Sequence, residues 1–234
     1  MLFGKMSVSR SLIDSIGDLL KCNYLKRGNS FISMTSAILD SFSQFNLQAK
    51  DPEERFITSG VSWEAYETLL NFLGDSSGYR LAYLEGILEI MSPSRSHELD
   101  KENIGRLLEA YLEENGIRFW GLGSTTLRKA DKQAGKEPDK CYCIVTDKDI
   151  PDLAIEVIYT SGSVNVLTIY QRLGVTEVWL WQNNHFEIYY LQGDRYEQRQ
   201  QSQLLPDLDL VLMAHYVTID DPLEAIIEWR KQIR

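Results

Sequence analysis

The chain has 234 residues, 44% of them hydrophobic and 25% charged, with a formal net charge of −10. That composition suits a packed globular protein and excludes a disordered one, and no apolar run approaches the roughly 18 residues of a membrane span. The acidic balance excludes a protein that grips nucleic acid with its whole surface, so any nucleic-acid contact needs a local basic patch. Three cysteines, Cys22, Cys141 and Cys143, and three histidines give no zinc-ligand spacing, and the odd thiol count fits a reducing, cytoplasmic compartment.

Residues 1–33 carry five Lys/Arg and two Asp, a balance of +3, and read as an N-terminal extension. Leu12, Ile13, Ile16, Leu19 and Leu20 form a helical stripe, but Asp14, Asp18 and Lys21 interrupt it, which argues against a targeting segment. Two readings stay open: a basic surface helix, or an upstream start with Met34 as the working one. Residues 34–60 lack periodicity and read as a lead-in to a domain over 61–234.

Ser62 can cap a helix with Trp63, Tyr66, Leu70 and Leu73 on one face, with Gly74 as its stop. A hairpin follows, Tyr79–Leu84 and Ile87–Met91 around a Glu85-Gly86 turn. Ser92-Pro93-Ser94 opens a long helix with Ile104, Leu107, Leu108, Tyr111 and Leu112 as its stripe, ended by Gly116. Strands are predicted at Ile117–Trp120, Thr125–Arg128 and Lys140–Val145, with a loop from Lys129 to Pro138. Leu153–Ile158 is an almost continuous apolar run, the mark of a strand buried on both faces. A helix over Val164–Leu173 stops at Gly174. Strand Val178–Trp181 then leads through Asn183-Asn184 and Gly193-Asp194 into a meander, His185–Leu191 and Tyr196–Gln200. The order predicts an α/β fold with a mixed central sheet flanked by helices, an N-terminal hairpin and a C-terminal β-meander.

Glu156 interrupts the buried run, where an ionised carboxylate needs a partner or a metal. The alternative is a structural carboxylate satisfied by backbone N–H groups or an arginine. Asp139 follows Pro138 at the mouth of a strand, a placement that also suits a plain turn. Together the two make a hard-oxygen pair of the kind Mg²⁺ favours, with Mn²⁺ as a substitute. Arg128, Lys129, Lys132, Lys136 and Lys140 form a basic stretch beside them, either a phosphate-contacting patch or a solvated loop. His97 and Lys101 share the inner stripe of the long helix with Glu98 at its edge, so His97 can pair with a carboxylate or a phosphate. Glu89 shares a face with Ile87 and Met91 and either points inward or marks an edge strand.

The ordered set Leu84-Glu85-Gly86-Ile87-Leu88-Glu89-Ile90-Met91-Ser92-Pro93, His97-Glu98, Glu137-Pro138-Asp139, Pro151-Asp152-Leu153-Ala154-Ile155-Glu156-Val157, and Tyr170 with Leu173-Gly174-Val175-Thr176-Glu177-Val178-Trp179 resembles the Uma-type family of putative restriction endonucleases, within the PD-(D/E)XK nuclease superfamily. The resemblance spans about residues 60 to 215. It implies a restriction-endonuclease-like core of helix, three strands, helix and strand, and a Mg²⁺-dependent endonuclease acting on DNA. It places the metal carboxylates at Asp139 and Glu156, with a looser match at Glu98. The family's lysine falls on Val166, which lacks a cation, so Lys140 or Lys101 would have to substitute. A catalytically inactive relative that binds DNA or a protein partner is the alternative, and a purely structural sheet domain a third. No membrane association is expected. A homodimer is expected, because duplex cleavage needs a site for each strand, with Tyr189, Tyr190 and Tyr196 as its contact surface.

Overall fold

The computed structural model describes residues 53–73, 78–123, 125–159 and 164–234. The extension 1–33, most of the lead-in and Gly74 lie outside the described residues. In chain order the elements are β1 (Glu54–Thr58), α1 (Trp63–Leu73), β2 (Arg80–Leu84), β3 (Ile87–Ser92), α2 (Arg95–Glu114), β4 (Phe119–Gly121), β5 (Leu127–Lys129), a 3-10 turn (Ala130–Lys132) and β6 (Ala134–Lys136). Then follow β7 (Lys140–Ile144), β8 (Leu153–Val157), α3 (Val166–Leu173), β9 (Glu177–Gln182), β10 (His185–Gln192), β11 (Arg195–Arg199), α4 (Leu210–Val217) and α5 (Pro222–Gln232). None of the described helices is long and apolar enough to cross a membrane.

The strands form two sheets. One has the order β1-β3-β2-β6-β5 and the other β11-β10-β9-β8-β7-β4. The first is antiparallel throughout. In the second, β8 and β9 run parallel and α3 makes the crossover between them, as a parallel pair requires. The architecture is therefore mixed α/β, consistent with a restriction-endonuclease-like fold.

Alternation along the strands sorts the core into layers. Leu153, Ile155 and Val157 of β8 and Trp179 and Trp181 of β9 face a large cluster supplied by α2, α4 and α5. Ala154, Val178 and Leu180 face the other way, toward Ile169, Tyr170 and Leu173 of α3 and toward Ala82, Leu84 and Ala134 of the first sheet. On its far side the first sheet packs Leu81, Tyr83, Leu88 and Ile90 against Tyr66 of α1. Glu156 shares its face with Ala154 and so looks into the space between the sheets.

Local signals explain most elements. Ser62 Oγ accepts from Ala65 N and starts α1. The two-residue turn between β2 and β3 has φ +47° at Glu85 and +85° at Gly86, the left-handed pair that matches strand twist. Ser94 Oγ accepts from His97 N and caps α2.

Three departures from the sequence reading matter. Residues 54–58 of the lead-in are a strand paired with β3. The Lys129–Pro138 loop holds the 3-10 turn and β6, which joins β2 to β5. Nothing in Ala134-Gly135-Lys136 looks like a strand locally. It is recruited by tertiary pairing, and Gly135 is required because a β-carbon there would lie 2.4 Å from the Tyr66 hydroxyl. Finally, α4 and α5 follow the meander. Asp209 and Asp221 cap them, and Trp229 Nε1 donates to Leu107 O of α2 at 2.8 Å.

Candidate active site

Strand register brings the two carboxylates together. Lys140 pairs with Ile155 and Cys141 with Ala154. Continuing that antiparallel register by one residue sets Asp139 beside Glu156. Asp139 Oδ2 accepts from Val157 N at 2.9 Å, which ties it to the residue after Glu156. Both acids are buried, at 7% and 6% exposure.

His97, in the first turn of α2, bridges two acids. Its Nδ1 lies 2.5 Å from Glu53 Oε1 and its Nε2 lies 2.9 Å from Asp139 Oδ1. The second contact is close but not aligned as an N–H hydrogen bond, so it acts as charge pairing. Burial alone would lower the imidazole pKa, but Asp139 and Glu53 outweigh it and push the value up to about 9. In turn burial would raise Asp139, yet His97, Lys136 and the Val157 N–H hold it below the usual carboxylate range.

Lys136 reaches across from the first sheet. Its Nζ lies 3.1 Å from Glu156 Oε2, and the side chain is buried. Burial works against the ammonium, but Glu156, Asp139 and Glu89 together hold its pKa above the ordinary value. Glu156 Oε1 accepts from the Tyr170 hydroxyl of α3. Glu156 is nevertheless pushed up to about 7, because burial and the neighbouring Asp139 outweigh Lys136 and Tyr170.

A second ionic chain frames the site. Arg55 of β1 sits 3.0 Å from Glu53 Oε2 and 2.5 Å from Glu89 Oε1. Glu89 Oε2 accepts from Val164 N at 2.9 Å. Glu89 therefore points inward, and β3 is not an edge because β1 covers it. Arg55, Glu89, Lys136, Glu156 and Val166 line one cleft.

The remaining predicted residues disperse. Glu98 is 38% exposed at its side chain and pairs with Lys101. Lys140 pairs with Glu102 at 3.1 Å, so neither Lys101 nor Lys140 reaches Glu156. Arg128 turns to Glu67 of α1 at 3.4 Å, and Lys129 Nζ donates to Leu173 O at the end of α3. Lys132 stays at the surface. The basic stretch is thus spread over several elements, and Lys136 faces inward. Tyr189 and Tyr196 of the meander pack against the core between the sheets, which leaves less aromatic surface exposed than the sequence suggested.

Not every buried acid belongs to this cluster. Asp152 accepts from Ile144 N at 2.8 Å and pairs with Lys148. Glu177 accepts from Trp179 Nε1, Ser202 Oγ, Gln203 N and Leu204 N. Both are carboxylates satisfied by their own neighbourhoods.

Asp139 and Glu156 suit a hard divalent ion. Their four oxygens already have protein partners, but each keeps a spare lone pair. No group of three or more His, Cys, Asp or Glu side chains among the described residues could hold a metal. Two carboxylates match the number through which Mg²⁺ is commonly held, the ion keeping several of its waters.

Sequence reasoning missed Glu53, Arg55 and the role of Lys136. Their only sequence signal was charge in segments without periodicity. A family model described as Uma2, putative restriction endonuclease, matches residues 63–218. No curated protein matches the chain.

Proposed function

From the premise that the chain belongs to the Uma2 family of putative restriction endonucleases, we propose that it is a divalent-metal-dependent endonuclease acting on DNA phosphodiester bonds. Asp139 and Glu156 would hold the ion. When bound, that ion supplies positive charge to the scissile phosphate and lowers the pKa of the attacking water. Lys136 supplies the cation that Val166 does not, stabilising charge that develops on the phosphate. His97 keeps Asp139 ionised and fixes its orientation, and Glu53 and Arg55 hold His97 and Glu89 in turn.

The observation that carries this reading is the 3.1 Å approach of Lys136 Nζ to Glu156 Oε2, on the strand next to the one that presents Asp139. The side chains of Arg128 and Lys132 are 43% and 54% exposed and remain available to a phosphate backbone. Lys129 and Lys140 are held elsewhere. A two-fold dimer would bring a second site to the opposite strand.

The test is nicking of supercoiled plasmid with and without Mg²⁺ or Mn²⁺. Wild type should nick only with metal, and both Asp139→Asn and Glu156→Gln should lose the activity. Metal-independent nicking, or nicking that survives both changes, would refute the assignment.

A second reading has its own support. Tyr170 and Lys136 already occupy both oxygens of Glu156, as in a nuclease fold retained for binding DNA or a protein partner. Tight DNA binding without metal, together with no nicking at any metal concentration, would favour it.

A further inference from the structure

Two buried cations, His97 and Lys136, and the half-buried Arg55 serve four buried acids, Glu53, Glu89, Asp139 and Glu156. Arg55 divides its guanidinium between Glu53 and Glu89. His97 lies between Glu53 and Asp139. Among the described residues Lys136 forms an ion pair with Glu156 alone, although Asp139 and Glu89 also act on it electrostatically. Glu156 is thus the acid whose charge is balanced by one removable side chain on a different sheet.

We propose that Lys136 is the internal counter-ion of the site: its ammonium occupies the Glu156 oxygen that a divalent cation requires, and it must leave that oxygen before the cation binds. This rests on reading Asp139 and Glu156 as the metal carboxylates. A buried carboxylate without a partner is costly, so the lysine stabilises the metal-free fold. The same charge repels an incoming ion. Loss of Lys136 makes Glu156 easier to protonate by one unit of charge interaction, but a divalent ion gains two, so removal of the lysine favours metal. The displaced ammonium, tethered on β6 at the cleft wall, is then free to meet a phosphate oxygen.

The experiment is calorimetric titration of Mn²⁺ into wild type, Lys136→Gln and Glu156→Gln, with circular dichroism to verify folding. Lys136→Gln should bind at least about tenfold more tightly than wild type, and Glu156→Gln should lose the site. Equal or weaker binding by Lys136→Gln, beside wild-type binding that depends on Glu156, overturns the counter-ion role while leaving the metal carboxylates in place. Undiminished binding by Glu156→Gln, or no binding by any of the three, overturns both. Should Lys136→Gln fail to fold, amidination of wild-type lysines with methyl acetimidate, mapped by mass spectrometry, gives the answer. Lys136 should be protected without metal and react with Mn²⁺ present. Unchanged protection overturns the proposal.

Discussion

Lys136 Nζ lies 3.1 Å from Glu156 Oε2, and the two residues come from different sheets. Glu156 sits mid-sheet on β8, while Lys136 ends a three-residue strand that pairs with β2. The ion pair is therefore a tie between layers, made where the apolar core between the sheets gives way to charge.

The lysines should separate cleanly in a nicking assay. Lys136→Ala should lower Mg²⁺-dependent plasmid nicking by about a hundredfold or more, which is ~2.7 kcal/mol of barrier. Lys101→Ala and Lys140→Ala should stay within about threefold of wild type, because they face Glu98 and Glu102. Val166→Lys should not raise the rate, since an ammonium already reaches Glu156. A large gain from Val166→Lys would show that Lys136 does not supply the working cation.

Stability should fall as pH rises from about 5 to 9.5. An unfolded histidine titrates near 6.5, whereas His97 is held up to about 9. Its contribution is therefore complete below about 6.5 and is lost as pH rises through 9. Glu156 is raised from its usual 4.5 to about 7, so its effect is also present at low pH and fades through 7. Asp139, held below its usual range, titrates beneath this window. Urea denaturation at pH 5.5, 7.0 and 9.5 should show a decline on the order of a few kcal/mol. His97→Gln should flatten its upper part. A stability maximum at pH 8 or above would contradict a charged His97.

Glu177→Ala should damage the fold and spare the proposed metal site. Four donors converge on this carboxylate, among them Ser202 Oγ at 2.5 Å and Gln203 N at 2.7 Å. Removing it strands buried donors, at a cost of about 3–5 kcal/mol. Urea denaturation gives the cost. Mn²⁺ affinity at a temperature where the variant is folded should match wild type.

Tyr66→Phe should raise the melting temperature by about 2–4 °C. The ring is fully buried and stacks on Tyr83 at 4.8 Å, but its hydroxyl has no hydrogen-bond partner among the described residues. Deleting an unsatisfied buried hydroxyl removes a penalty of roughly 1 kcal/mol. A clear drop on calorimetry would mean that the hydroxyl has a bonding role.

Truncation should show where the site begins. Deleting residues 1–33 should change the melting temperature by no more than about 4 °C. Deleting 1–58 removes β1, the Glu53 contact to His97 and the Arg55 contact to Glu89. It should cost more than about 8 °C, roughly 2 kcal/mol or more for this size. Equal melting temperatures for the two truncations would make β1 dispensable.

Asp139, Glu156 and His97 were legible in the sequence because each is an anomaly. Glu156 breaks an apolar run, Asp139 sits at a strand mouth, and His97 lies on the inner stripe of a helix. The hairpin, the long helix and the β8–α3–β9 unit were legible because caps, turns and periodicity agree there. Lys136 was hidden by company: it stands among basic residues that do reach the surface, on a strand made only by pairing with β2. Glu53 and Arg55 were hidden because strand β1 has no alternation of its own. The caps Asp209 and Asp221-Pro222 were present in the sequence and mark α4 and α5. What local pattern cannot carry is which distant strand a charge will face.

The acidic centre draws Glu53, His97, Lys136, Asp139 and Glu156 from the start of β1, α2, β6, the mouth of β7 and β8, with 44 residues separating Glu53 from His97. Contacts of such long sequence separation carry a loop-closure cost that their favourable energy must offset. Neither sheet assembled alone contains the Lys136–Glu156 pair. The pair therefore exists only where the two sheets meet, and a chain in which they have separated carries Lys136 and Glu156 apart and hydrated.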